Sequence, residues 1–147
     1  MHNIETLNKF LKDELSATET YQQALKKLRE DAGLGKAEDL MPIYEAHKEA
    51  VSSLQALISR LGGAPCEDTG AWGTWAKLVQ GSANLLGKEM ALKSLQGGEK
   101  SGAEDYEEAL QDTELSSDIR SLIETKLLPA QQAHIRILDR LLGGGTD

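Results

Sequence analysis

The sequence predicts an all-α protein, an antiparallel four-helix bundle made of two like halves and one long crossover carrying a short extra helix. Three observations predict it. Glu14-x6-Tyr21-x2-Ala24-Leu25 returns as Glu99-x6-Tyr106-x2-Ala109-Leu110, and Leu40-x-Pro42-x3-Ala46-His47 returns as Leu127-x-Pro129-x3-Ala133-His134, in the same order. Such repetition implies an internal two-fold duplication. Apolar residues recur at spacings of three and four, the period of one helix face. The composition also fits, with 39% hydrophobic, 27% charged and only 4% aromatic residues. Sheet proteins favour β-branched and aromatic side chains instead.

In the first half, Leu7, Phe10, Leu11, Ala17, Tyr21, Ala24, Leu25 and Leu28 predict a helix over about 4–30, ended by Gly33 and Gly35. Leu40, Ile43, Tyr44, Val51, Leu54, Ile58 and Leu61 predict the next over about 37–61, stopped by Gly62-Gly63 and Ala64-Pro65. Residues 63–86 read as the crossover, with Trp72, Trp75, Leu78 and Val79 on its short helix. In the second half, Met90, Leu92, Leu95, Tyr106 and Leu110 mark a helix over about 87–111. Ser116 or Ser117 is the expected N-cap of the last, about 117–142, through Ile119, Leu122, Ile123, Leu127, Ile137 and Leu141. Residues 143–147 read as a frayed tail. Short turns inside the pairs 4–61 and 87–142 make each pair a hairpin.

A chain of 147 residues is one domain, 1–147, with enough length for a single core. Its net charge of −8 argues against nucleic acid, whose binding needs a basic patch. The single Cys66 cannot form an internal disulfide. No run approaches membrane-spanning length, and the first residues lack the charge and apolar run of a signal peptide. A cytoplasmic protein, homodimeric through its acidic surface or a helix face and without membrane partners, is the expectation.

Each half places two ionisable residues within apolar stripes. Glu14 follows Leu11 by three and Phe10 by four, and Glu99 sits between Leu95 and Tyr106. His47 follows Tyr44 by three and precedes Val51 by four, and His134 takes the matching place in the last helix. A buried carboxylate without a partner costs several kcal/mol, so these groups must satisfy one another or hold a cation. Two carboxylates and two imidazoles suit one divalent ion, Fe, Zn or Mn. Tyr21 and Tyr106 can hydrogen-bond to the ligands. Pro42 and Pro129 free the carbonyls of Glu38 and Thr125 and loosen the helix beside the site, although Pro42 can equally mark a helix start. Glu19, Glu104, Glu45 and Glu49 lie off the stripes and read as solvated. Counted along the expected helices, Glu14 and His47 differ in height by roughly 9 Å before side-chain reach is included.

The paired Glu-x6-Tyr motifs, the histidines on the partner helices and the long crossover resemble the ferritin-like superfamily, which includes rubrerythrins and bacterioferritins. The chain is most similar to a bacterial ferritin-like family of unknown function, where Gly-Glu-x6-Tyr-x2-Ala-Leu stands in the third helix, as from Gly98 to Leu110 here. Di-iron members carry a Glu on each of two helices and Glu-x-x-His on each of the other two. Glu14 and Glu99 match the single glutamates. The paired motif departs: with His47 and His134 as its histidines, Tyr44 and Gln131 occupy the glutamate places, and in the other register Ala50 and Ile137 occupy the histidine places.

The resemblance therefore implies a degenerate centre, with Glu14, His47, Glu99 and His134 as metal residues, Tyr21, Tyr106, Tyr44 and Gln131 around them, and no catalytic residue. A stress-associated accessory or binding protein with one divalent ion leads. A metal-free structural or interaction module is the alternative, and a di-iron oxidase or peroxidase comes last.

Overall fold

A computed structural model describes residues 2–31, 34–67 and 85–143, and among them there is helix and no strand. Helix α1 spans His2–Asp31, α2 Leu34–Arg60 and α3 Leu85–Ala109. The fourth rod is composite: α4 (Ser117–Leu122) passes through a π-helical turn at Ile123–Leu127 into α5 (Leu128–Gly143). α1 packs along α2 and α3 along α5, while α2 and α5 touch far less than either of these pairs. No described helix is long and apolar enough to cross a membrane.

The apolar core forms two blocks. One gathers Tyr21, Leu25, Leu40, Ile43, Leu92, Leu95 and Leu138. The other gathers Leu7, Phe10, Leu11, Leu54, Ile58, Tyr106, Ile119 and Ile123. These memberships fix the directions of the rods. The end of α1 and the start of α2 share the first block, as do the start of α3 and the end of α5, so each pair is antiparallel. α2 and α3 both run from the first block to the second, so these two helices are parallel. The short helix expected at Trp72, Trp75, Leu78 and Val79 lies outside the described residues.

Helix ends follow local chemistry. The Ser116 side chain accepts a hydrogen bond from the Ile119 N–H at 3.3 Å, making Ser116 the cap of the two serines proposed. After α2, Gly62 adopts φ 90, a left-handed conformation that costs glycine nothing. The Gly63 N–H then reaches back to the Ile58 carbonyl at 2.9 Å, closing the helix. Arg120 donates to the carbonyls of Leu110 at 2.9 Å and Asp112 at 2.8 Å, satisfying acceptors beyond the end of α3.

Two expectations need correction. Gly35 does not end α1; it lies inside α2, which begins at Leu34. Pro42 does not start a helix either; it sits inside α2, where it lacks the N–H that would bond to the Glu38 carbonyl. Ahead of Pro129 the loosening expected from the sequence takes a definite form. The Leu128 N–H bonds to the Ile123 carbonyl five residues back, the wide turn of a π-helix. The cause is visible in the burial pattern. Ile119, Ile123, Leu127 and Gln131 are all buried at successive spacings of four. A regular helix of 3.6 residues per turn would carry them about 40° further round at each step, and the wider turn absorbs that drift.

Candidate metal centre

Between the two apolar blocks lies a polar layer with one residue from each rod. Glu14 is 4% exposed, His47 1%, Glu99 0% and His134 5%. The height mismatch expected from the sequence is smaller because α2 begins earlier than expected. His47 lies thirteen residues past Leu34 and Glu14 seventeen before Asp31. The remaining difference of four residues is about 6 Å of rise, within reach of the two side chains.

His47 is the centre of the layer. Its Nδ1 lies 2.5 Å from Glu14 Oε1 and its Nε2 2.6 Å from Glu99 Oε2. Carboxylate oxygens accept, so both ring nitrogens must donate, and His47 is an imidazolium. Burial by itself would lower its pKa. The negative charges of Glu99 and Glu14, and the hydrogen bonds to them, overcome burial and lift it from 6.5 to about 10. Glu99 answers in the opposite sense. Burial would raise it, yet the His47 cation and hydrogen bonds from His134 and His47 hold it down at about 2. His134 adds its Nδ1 at 3.1 Å from Glu99 Oε1.

The tyrosines cross between halves. Tyr21 of α1 donates to Glu99 Oε2 of α3 at 2.7 Å. Tyr106 of α3 donates to Glu14 Oε2 of α1 in a short hydrogen bond. Burial first, and then the adjacent carboxylate charge, push both phenols well above their ordinary pKa of 10.0, so they remain donors. Gln131 donates to the Glu99 carbonyl at 3.3 Å, and its amide comes so close to Gly102 that an added Cβ there would collide with it. Tyr44 is the exception among the residues expected around the site. One turn before His47, its half-buried ring packs against the first apolar block, with Lys48 Nζ 5.2 Å from the ring centre. Glu19, Glu104, Glu45 and Glu49 are exposed, as expected.

His47, Glu99 and His134 offer ligand atoms all within 4.8 Å of one another. The residue types fit a divalent ion of the zinc or iron class. Ligands held at about 2.0–2.2 Å from one ion cannot sit 2.6 Å apart, so a cation and the His47–Glu99 proton exclude each other. A divalent ion replacing that proton would bring one more positive charge to the layer.

Sequence reasoning did not find the cavity beside this layer. It opens between α2 and the fourth rod, has a volume of about 190 Å³, and reaches Glu14, His47 and His134. The signal was present in Ala46, Ala50 and Ala130, small residues on facing helices that leave room where larger ones would close it.

This all-helical bundle with a buried Glu/His layer belongs to a family defined by its sequence alone. Residues 2–112 match the family described as Domain of unknown function (DUF2383), and the chain belongs to it. The matched stretch contains Glu14, Tyr21, His47, Glu99 and Tyr106, whereas Gln131 and His134 lie beyond it. No curated protein and no solved structure matches the chain.

Proposed function

We propose that this is a ferritin-like accessory protein, built by internal duplication, whose His47, Glu99 and His134, with Glu14 beside them, bind one divalent ion in place of the His47 proton. A single observation carries the reading: one imidazole bridges two buried carboxylates, at 2.5 and 2.6 Å, while a second imidazole waits 3.1 Å from the same Glu99. The reciprocal Tyr21–Glu99 and Tyr106–Glu14 bonds support the duplication, because each half places its tyrosine on the acid of the other. Iron, zinc and manganese all accept this donor set. The homodimer expected from the sequence belongs to the same proposal, and sedimentation measures it.

Elemental analysis of protein purified without chelator tests the metal, set beside the Glu14→Ala/Glu99→Ala variant. Near one equivalent in the parent and none in the variant is the expected result. Equal and negligible metal in both ends the reading.

A second reading has its own support: among the described residues, no buried side-chain nitrogen or oxygen lacks a hydrogen-bond partner. The layer is then a metal-free device that fixes helix register. Replacing all four ionisable residues with apolar ones of similar size would leave stability unchanged or higher, as buried ionic groups often do when removed together. A di-iron oxidase has the least support, since Tyr44 faces Lys48 and Gln131 a backbone carbonyl where such a centre needs two more carboxylates.

A further inference from the structure

Resting on the metal reading above, we propose that the centre is an open one, with an exchangeable position that a small donor ligand reaches through the cleft between α2 and α5. Among the described residues, cavities reach the layer from two sides, and their sizes decide between them. The one between α1 and α3, beside Phe10, Gly102 and Tyr106, holds about 10 Å³, at the lower limit for a single water. The α2–α5 cleft holds about 190 Å³, room for about six waters at roughly 30 Å³ each. Exchange therefore runs through the cleft.

The donor inventory agrees. Metal sites that serve structure alone close their shell with four protein ligands, whereas sites that exchange a ligand keep about three. Here the side chains that converge are His47, Glu99 and His134. Glu14, the remaining acid, is held by His47 and Tyr106. His134 uses Nδ1 toward Glu99, and no hydrogen bond engages its Nε2, although the residue lines the cleft. The methyl groups of Ala46, Ala50 and Ala130 form part of the wall above this floor. Glu49, Ser53, Lys126 and Gln131 line the same cleft, so an incoming molecule's donor end has the centre to bind and its remainder meets methyls and polar groups together. The class is a compact monodentate donor of up to about six heavy atoms, a small anion such as azide or acetate being typical.

The test uses the full chain loaded with Co(II), whose visible bands report its coordination, titrated with azide. Wild type is expected to show a saturable change in those bands. Ala50→Leu and Ala130→Leu, each filling the cleft, are expected to take up Co(II) within about two-fold of wild-type affinity and to lose the azide response by ten-fold or more. Co(II) uptake without any azide response in wild type overturns the open centre and leaves the metal reading standing. An undiminished response in both filled variants, with wild-type far-ultraviolet circular dichroism, overturns the cleft as the route. Failure of wild type to bind Co(II) removes the metal reading and this inference with it.

Discussion

The two halves of the chain carry the same motifs but give their histidines unequal work. His47, on the regular helix α2, has both ring nitrogens on carboxylates. His134, beyond the π-turn of the fourth rod, has only Nδ1 so engaged, at a longer 3.1 Å. Burial on α2 falls at Leu40, Ile43, His47, Leu54 and Ile58, steps a regular helix supplies. The fourth rod instead presents its run of fours and needs the wide turn. Equal motifs thus fix which residues enter the layer, while the helix leading into each motif decides how closely its histidine engages. The cleft lies between α2 and the fourth rod, elements that touch far less than the two hairpin pairs do.

The largest test of this asymmetry lies in the acids. Glu99 holds His47, His134 and Tyr21, whereas Glu14 holds His47 and Tyr106. Breaking a buried pair by removing one partner typically costs about 3–5 kcal/mol. Glu99→Ala is expected at the upper end of that range and Glu14→Ala below it, measured by urea unfolding of the metal-free protein. Equal losses would mean that the halves are energetically alike.

The histidines separate by pH. A raised folded-state pKa stabilises fully below the unfolded value and is lost as pH climbs through the folded one. For His47 that window runs from 6.5 to about 10. Glu99, lowered from 4.5 to about 2, contributes above 4.5 and loses its contribution as pH falls toward 2. The melting temperature of wild type should therefore exceed that of His47→Gln by several degrees at pH 6, with the gap closing by pH 10. His134→Gln should show a smaller gap at pH 6. Scanning calorimetry at both pH values checks this, and a His47→Gln gap that persists to pH 10 would contradict the imidazolium.

The smallest expected effect concerns Gly102. A methyl group there displaces the Gln131 amide, so Gly102→Ala should cost about 1 kcal/mol through the hydrogen bond to the Glu99 carbonyl. Hydrogen exchange of amides around Glu99 would sharpen the point by rising in this variant.

Much of this was readable from residues. Apolar spacing gave four helices with ends within a few residues of those observed, and the position of Glu14 three after Leu11 and four after Phe10 placed its carboxyl inside. What escaped depends on register across helices. Tyr44 stands three before His47 on the same stripe, yet its half-buried ring packs on the first apolar block with Lys48 beside it. The π-turn was hidden because Pro129 suggested a disturbance without specifying the wide form it takes. The cleft escaped because an alanine looks identical in sequence whether a neighbour fills its space or not.

The alternation of acid and base along the chain has a consequence for biosynthesis. The ribosome delivers Glu14, then His47, then Glu99, then His134, so among the four residues of the layer each acid is followed by an imidazole before the next acid. Domains emerge N-terminal first, at about 5–20 residues per second. The first hairpin can accordingly pair its own charges before the second exists, and the nascent chain never has to shelter two bare acids together.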